Sequence, residues 1–475
     1  MNPATSPARA PQLRPPATCS HLASAWLVIL ATLIGCTPNT APPTNLILIS
    51  LDTTRADRCS AYGYERDTTP NLSQLAAGGV RFGLAYSPTS TTGPTHASLF
   101  TSLYPIEHGV IRNGINLDDQ FSTMAERLGE LGYQTAGITS SFVFDAQFGY
   151  DQGFDFWDAN FSWETSRVRL AEWEGHALKE GFDRPGQEVT NLGLTWLDEL
   201  PDANRPFFLF LHYFDAHEPY DPPEPYRSRF APHEDATEQG TLNSAYDASI
   251  AYQDFEMGRF LDGLEDRGLS ENSIVVVLGD HGQGLMEHGI EYHGRTIYEE
   301  QVRVPLVIRW PGRILPGHQV DSPVALLDLM PTLFDLLSLE SPGNDWRGQT
   351  LTSISHNKIE FHPSDRPVFL FRRHYAPAPK SAQSTNMQSV AGELYGIRRG
   401  RWKYIYGREE KRRELYDLDV DPNESHNRVS AEPRKTAELH AELEEWISSR
   451  RDTSDAAGEL SNLDRARLQA LGYTD

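Results

Sequence analysis

Four short segments of this chain are apolar almost without interruption, and they constrain the fold more than any other feature. Their lengths suit strands, and they lie at residues 45–51, 207–214, 274–278 and 304–310. Because such strands have no polar side, both faces of the sheet must be covered, which is typical of parallel sheets packed between helices. A helix is predicted at 71–77, where Thr69-Pro70 places a proline in the first turn. We therefore predict an α/β fold with a mostly parallel sheet sandwiched by helices.

The pattern of the sequence changes near residue 365. Strand-length segments with turn signals between them follow at 367–372, 394–398, 402–406 and 414–418, and an amphipathic helix at 431–450. They predict a small antiparallel sheet with a helix. A main α/β domain of residues 45–364 would then precede a C-terminal subdomain of residues 365–475. Other stretches are interpreted as loops and short helices at 161–200 and 222–245, and as one apolar helix at 324–337.

The first 35 residues have the properties of a targeting segment rather than of a folded element. Their apolar run, residues 22–34, is too short to span a bilayer comfortably. It ends in Leu33-Ile34-Gly35-Cys36, which resembles the lipobox of bacterial lipoproteins. The resemblance implies that residues 1–35 are a signal peptide, that Cys36 is lipidated and that 36–44 form a tether. The protein would be lipid-anchored in the bacterial cell envelope, on the periplasmic or extracellular side. The alternatives are a plain secretory signal and a short membrane anchor.

The charge of the chain limits its partners. A formal net charge of −24 argues against nucleic acid or an anionic membrane as the main partner. It does not exclude an anionic substrate, because a bound cation can reverse the field at one site. Cys59 is the one cysteine that follows Cys36, so no disulfide is expected within the mature domain.

Acidic and histidine side chains follow two of the predicted strands. Asp52 comes directly after one strand, and Asp280-His281-Gly282 follows another. In α/β sheets, ligands bind just beyond the carboxyl ends of the strands, and carboxylates with an imidazole are suitable ligands for a divalent cation. An aspartate after a strand can also be a simple helix cap, but the repeated pattern and His281 favour a metal site. His212, within a strand, is interpreted as a core or cleft-wall histidine.

A third segment, Thr92-Gly93-Pro94-Thr95-His96, predicts a turn that leads into a helix. A hydroxyl at the start of a helix meets free N–H groups and the positive end of the helix dipole. If Thr92 also coordinated the metal, its pKa would fall and it would become a usable nucleophile. Alternatively, Thr91 or Thr92 merely caps the helix, and the spacing alone leaves both interpretations open.

Several motifs, in this order, resemble those of the sulfatase family, which belongs to the alkaline phosphatase superfamily. They are residues 45–57 with Tyr62-Gly63, the Thr92–His96 segment, residues 215–220, residues 279–282 and residues 298–305. Residues 401–404 and 414–418 resemble the small terminal domain of the family. The resemblance covers about residues 45–430 and implies an alkaline-phosphatase-like fold and an ester hydrolase.

The resemblance also implies roles for individual residues. Asp52, Asp280 and His281 match metal ligands, and Thr92 stands where sulfatases hold the residue that is converted to formylglycine. His217 matches a histidine that contacts substrate or leaving group, and His293 is a second candidate for the active site; either could protonate the leaving oxygen. Arg295 and His96 are candidates for substrate binding. Arg295 could alternatively be an ordinary loop arginine, and His96 takes the place of a family arginine.

The departures from the family pattern change the expected chemistry. Thr92 cannot become formylglycine, Leu51-Asp52 replaces a pair of aspartates, and the family's sulfate-binding lysine and histidine fall at Ser140 and Phe142. With threonine at this position, the chain resembles the phosphodiesterases and the phosphoethanolamine or phosphoglycerol transferases of the superfamily. We therefore expect a hydrolase of sulfate or phosphate/phosphonate esters with a threonine nucleophile and one divalent metal, Ca²⁺, Mn²⁺ or Zn²⁺. The alternatives are a transferase acting on a surface glycan or lipid and a non-catalytic protein that binds anionic glycans.

Overall fold

The structure is a computed structural model that describes residues 44–173, 176–232, 237–340, 345–355, 358–361, 365–375, 391–450 and 461–471. The signal peptide, the lipidation site Cys36 and nearly all of the tether lie outside these residues, so these interpretations stay predictions. In the described ranges, no helix combines the length and the apolar character needed to cross a membrane. The fold and the site described below belong to the unit Pro42–Asp475.

The main sheet of the described chain has eight strands. Their order across the sheet is His318–Val320, Val80–Phe82, Leu306–Arg309, Ser273–Gly279, Asn45–Leu51, Phe207–Tyr213, Gln134–Ile138 and Phe156–Asp158. Leu306–Arg309 pairs antiparallel with both of its neighbours, and every other adjacent pair is parallel. The central strands Asn45–Leu51, Phe207–Tyr213 and Ser273–Gly279 are buried at every position. The prediction of a mostly parallel, doubly covered sheet is therefore confirmed.

Helices cover both faces of this sheet. The α-helices of the described residues, with those of the C-terminal part included, are Pro70–Ala77, Thr92–Thr101, Pro105–His108, Met124–Glu130, Gly186–Asp198, Tyr226–Arg229, Glu238–Asp266, Glu299–Val302, Leu329–Leu336, Pro433–Ser448 and Asn462–Ala470. One core cluster joins Leu46 and Leu48 to Phe100, and another joins Ile47 and Ile49 to Phe260. Because successive side chains of a strand point to opposite faces, the alternation along Asn45–Leu51 supplies both cores.

Several sequence interpretations differ from the structure. The longest helix, Glu238–Asp266, begins inside a stretch interpreted as loop and short helix. Its buried face contains polar residues that are hydrogen-bonded, such as Gln253 and Asp254, so the apolar period of a helix is hidden. The stretch 161–200 contains the strands Arg169–Trp173 and His176–Gly181 and the helix Gly186–Asp198. Within 324–337, a short strand precedes the helix Leu329–Leu336.

The C-terminal part contains a second, antiparallel sheet. Its strands are Val368–Tyr375, Gly392–Arg399, Trp402–Gly407 and Arg412–Asp417, and the helix Pro433–Ser448 packs on them. This agrees with the predicted small sheet plus helix. Shorter strands complete the described chain, at Ala85–Tyr86, Gly284–Leu285, Glu291–Tyr292, Arg303–Val304, Val324–Ala325, Thr352–Ser355 and Lys358–Phe361. The boundary predicted between residues 364 and 365 stays a prediction.

Candidate active site

Two aspartates meet at the carboxyl end of the main sheet. Leu51 pairs with Gly279 on the neighbouring strand, so Asp52 and Asp280 each follow one member of the same pair. Both carboxyl groups are fully buried. Burial raises the pKa of Asp52 to about 7, although the hydrogen bond from Thr92 opposes this shift. Burial and the charge of Asp52 likewise raise the pKa of Asp280.

Thr92 faces these carboxylates from the start of the helix Thr92–Thr101. Its Oγ1 lies 3.4 Å from Asp52 Oδ2 and 3.1 Å from His281 Nε2. The residue before it, Thr91, is the helix N-cap but makes no side-chain capping hydrogen bond. The sequence left open whether these threonines only cap the helix, and the distances place the Thr92 hydroxyl among the candidate metal ligands.

The His281 ring is fixed by the backbone next to it. Its Nδ1 lies 2.9 Å from the carbonyl oxygen of Gly282, which can only accept a hydrogen bond. The proton of the neutral ring therefore resides on Nδ1, and the lone pair of Nε2 points toward Thr92 Oγ1. An imidazole held in this tautomer is ready to bind a metal through Nε2.

The residues at this position fit a divalent cation. One carboxylate oxygen each of Asp52 and Asp280, together with a ring nitrogen of His281, lie within 4.8 Å of one another. Among the described residues, Asp52 Oδ1 and Asp280 Oδ2 have no hydrogen-bond partner although both atoms are buried. Two adjacent buried carboxylates are costly without a cation, so the donor set agrees with the expected metal site. Carboxylate, imidazole and hydroxyl donors are compatible with Ca²⁺, Mn²⁺ and Zn²⁺ alike.

A second group of titratable residues lies beside the first. The ring centroids of His281 and His293 are 4.6 Å apart, and those of His293 and His217 are 5.0 Å apart. His217 Nδ1 donates to the carbonyl oxygen of Glu218 at 2.7 Å, and His293 Nδ1 contacts Gln283 Oε1 at 2.8 Å. Burial lowers the pKa of both histidines well below the ordinary value. The structure thus brings both predicted catalytic histidines to the site.

His96 contacts the backbone of Thr92 from within the core. It is fully buried, and its ring contacts the Phe144 ring edge to face at 4.8 Å between centroids. Its Nδ1 donates to the carbonyl oxygen of Thr92 at 2.8 Å, and its Nε2 contacts Ser50 Oγ at 2.9 Å. Both ring nitrogens therefore contact protein groups, which suits a residue that positions Thr92 better than one that binds substrate.

Arg295 stands two residues after His293 and is half-buried. Its guanidinium carbon lies 4.3 Å from the centroid of the Tyr375 ring. Burial lowers its pKa, and the neighbouring charge of Arg373 lowers it further. Arg295 is therefore at the edge of the site, in contact with the C-terminal sheet.

Three further residues belong to the site, and the sequence assigned none of them a role as ligand or catalyst. His212 Nε2 donates to Asp52 Oδ2 at 3.0 Å, because His212 pairs with Ser50 on the adjacent strand. Thr53 donates its N–H to Asp280 Oδ1 at 3.0 Å. Gln283 connects His293 to Glu218 by accepting from one and donating to the other. The period-2 register of the predicted strands was the signal that could have placed His212 beside Asp52.

The fold and the site together define a sulfatase-like ester hydrolase of the alkaline phosphatase superfamily. The family described as Sulfatase matches residues 44–339, which is more than half of the chain. The family described as N-sulphoglucosamine sulphohydrolase, C-terminal, matches residues 286–453. The chain therefore belongs to the sulfatase family, as its motifs predicted.

Individual relatives are distant. The chain is 25% identical to an N-acetylglucosamine-6-O-sulfatase of Bacteroides thetaiotaomicron, over 81% of this chain and 82% of the relative. It resembles a solved structure in complex with its substrate D-glucosamine-2-N,6-O-disulfate, with a TM-score of 0.70, 23% identity and coverage of 88% and 100%. It also resembles the phosphonate monoester hydrolase of Agrobacterium radiobacter, with a TM-score of 0.68, 23% identity and coverage of 88% and 98%. The structural matches support the fold.

Proposed function

We propose that this protein is a metal-dependent hydrolase in which Thr92 is the nucleophile, and that it acts on phosphate or phosphonate esters. The observation that carries the proposal is the position of Thr92 Oγ1, 3.1 Å from His281 Nε2 and 3.4 Å from Asp52 Oδ2. A hydroxyl so close to candidate metal ligands can attack an ester as an alkoxide. Sulfate esters are the second candidate, because the chain belongs to the sulfatase family.

The chain's own residues supply the nucleophile and hold it in place. Asp52, Asp280, His281 and Thr92 would hold the cation, which supplies positive charge for the nucleophile and for the oxygens of the ester. His96 fixes the carbonyl of Thr92, so the hydroxyl stays at the start of its helix. There the helix dipole favours a negative oxygen.

The two outer histidines can move the proton. His217 and His293 hold their Nδ1 protons against Glu218 and Gln283, so the lone pair of each neutral ring is on Nε2. One of them takes the proton of Thr92 while Oγ1 bonds to phosphorus, and gives it to the leaving oxygen as the old P–O bond breaks. Water then attacks the phosphothreonine, and its proton returns through the same ring to Thr92.

The type of ester follows from the nucleophile. A formylglycine hydrate can release its sulfate by collapsing to an aldehyde, and a threonine ester cannot take this route. It must be hydrolysed by attack of water at the central atom, as in phosphoryl transfer through a covalent intermediate. This difference favours phosphorus esters over sulfate esters for Thr92.

The experiment compares ester classes and two substitutions at one position. The metal-loaded protein is incubated with aryl sulfate, phosphomonoester, phosphodiester and phosphonate monoester substrates, and kcat/KM is measured for each. We expect the highest value for a phosphorus ester, a loss on the order of 10³-fold or more in Thr92→Ala, and partial retention in Thr92→Ser. A chelator should abolish turnover, and added divalent metal should restore it. Full turnover by Thr92→Ala, or a strong preference for aryl sulfate, would contradict the proposal.

The site of action is part of the same proposal. The Leu33-Ile34-Gly35-Cys36 motif supports lipidation at Cys36 and a place in the cell envelope, where the substrates would be esters of surface glycans or lipids. Metabolic labelling with a fatty acid should mark the full chain and not Cys36→Ser. Equal labelling of both chains, or none of either, would contradict the anchor.

A further inference from the structure

Three arginines surround the ring of Tyr375 at one side of the candidate active site. Their guanidinium carbons lie 4.0 Å (Arg373), 4.3 Å (Arg295) and 5.1 Å (Arg372) from the ring centroid. Arg295 comes from the loop that contains His293, and the other residues belong to the strand Val368–Tyr375. These four residues are called the arginine cluster below. It joins the C-terminal sheet to the active-site loop.

Gly294 shows how near the arginine cluster is to the nucleophile. A Cβ atom placed on Gly294 would stand 3.4 Å from Thr91 Oγ1 and 3.4 Å from Tyr375 OH. Thr91 directly precedes Thr92, and Gly294 lies between His293 and Arg295 in the sequence. One backbone segment therefore passes close to the start of the helix that contains Thr92 and close to the ring around which the arginines lie. The positive φ of 81° at Gly294 favours glycine at this point.

The cluster gathers like charges in a chain that is acidic as a whole. The chain has 42 basic and 66 acidic residues, yet these three cations share one ring. Burial lowers the pKa of Arg372 to about 10, and the charge of Arg295 contributes to that shift. The charge of Arg373 lowers the pKa of Arg295 in the same way. Planar guanidinium groups match the oxygens of sulfate, phosphate and carboxylate, so three of them around one ring next to the active-site loop suit an anionic ligand.

Burial separates the roles within the cluster. Arg372 is buried and donates from Nη1 to the carbonyl oxygens of Arg373 and Gly392, so its charge is fixed inside the sheet. Arg295 and Arg373 are each partly exposed, so these two arginines border solvent.

We propose that Arg295 and Arg373, arranged around Tyr375 and supported by Arg372, form a subsite for a second anionic group of the substrate. The preferred substrates would then be polyanionic esters, such as glycans that carry a further sulfate, phosphate or carboxylate beside the ester that is cleaved. The inference rests on the proposed function, since it takes Thr92 as the reaction centre next to which the second group is held.

The test measures binding, so that it does not depend on turnover. Metal-loaded Thr92→Ala protein is titrated with D-glucosamine 6-sulfate and D-glucosamine-2-N,6-O-disulfate, and with glucose 6-phosphate and glucose 1,6-bisphosphate. The second anionic group should tighten binding about tenfold in at least one pair, as expected for a charge-assisted contact. In the Arg373→Gln background this gain should fall to about threefold or less, and Arg373→Lys should restore part of it.

A matched control comes from the same subdomain. Arg408 is exposed and lies 5.5 Å from the ring centroid of Tyr395, so Arg408→Gln removes a similar cation and should leave the gain unchanged. A gain that persists in Arg373→Gln, or the absence of any gain in both pairs, would overturn the subsite. Wild-type protein that binds as described but hydrolyses no ester would contradict the proposed function and support the subsite. Turnover without an Arg373-dependent gain would contradict the subsite alone.

Discussion

Gly282 is the position at which the geometry of the site can be tested by the smallest change. A Cβ atom at this position would stand 2.0 Å from the carbonyl oxygen of Glu300, whereas real Cβ contacts essentially never fall below 3.0 Å. The obstacle is backbone rather than a flexible side chain. Gly282→Ala must therefore move one of two segments that are joined by the hydrogen bond from Gly282 N to Gln301 O.

The displacement sets the size of the expected effect. Restoring an allowed contact needs a shift of about 1 Å, and a misplacement of about 1 Å at a catalytic centre can cost on the order of 100-fold in rate. The carbonyl of Gly282 also holds Nδ1 of His281, so the shift reaches a candidate metal ligand directly. Overpacking of this kind should also lower the free energy of unfolding by about 1–3 kcal/mol.

The assay combines kcat/KM on the best ester substrate, bound metal per chain and the thermal midpoint. Gly129→Ala is the matched control, because a Cβ atom there has its nearest neighbour at 3.9 Å and the residue lies in the helix Met124–Glu130. It should leave activity unchanged and stabilise the protein by about 0.5–1 kcal/mol. A Gly282→Ala protein that kept kcat/KM within about threefold and bound metal normally would contradict the predicted displacement.

Three further changes probe the surroundings of the site. Gln283→Leu removes the oxygen that accepts the Nδ1 proton of His293. It should lower kcat/KM about tenfold with little loss of folded protein, as measured by kinetics and circular dichroism. Lys403→Met leaves the carboxylates of Glu299 and Glu424 buried without the lysine that bridges them. It should lower the free energy of unfolding by about 3–5 kcal/mol, and a double variant that also carries Glu424→Gln should recover part of this loss. An unchanged free energy of unfolding in Lys403→Met would contradict the prediction. His288 is partly buried, which lowers its pKa, but the hydrogen bond and charge of Glu300 outweigh burial and raise the pKa above its ordinary value. The stabilisation is therefore complete below about pH 6.5 and is lost as the pH rises through the higher folded-state pKa, so the difference in Tm between wild type and His288→Gln should be larger at pH 6 than at pH 9.

The central strands could be predicted because their composition leaves few alternatives. An uninterrupted apolar segment such as Asn45–Leu51 must be buried on both faces, and helices on both sides of a parallel sheet achieve this. The helix Glu238–Asp266 could not be predicted in the same way. Its buried polar residues are satisfied by partners far away in sequence, such as Thr54 for Gln253 and Asn71 for Asp254. Periodicity of apolar residues reports burial only where the buried side chains are apolar.

For the site as well, the residue types could be predicted from the sequence, whereas their spatial neighbours could not. The sequence indicated that Asp52 and Asp280 each follow a strand, and strand ends are where α/β proteins bind ligands. The pairing of Leu51 with Gly279, which makes these two strands neighbours, is a property of the sheet order. Residue type at a strand end is local, whereas the order of strands depends on how all the helices and strands pack.

The sequence by itself determined the fold class, the family and the candidate ligands Asp52, Asp280, His281 and Thr92. Only the tertiary structure decided what the histidines contact. His96 contacts the backbone of Thr92, and His212 donates to Asp52 from 160 positions away in the chain. The physical reason is that a histidine's role is set by the partners of its two ring nitrogens, and those partners come from segments that meet only when the sheet and its loops have packed.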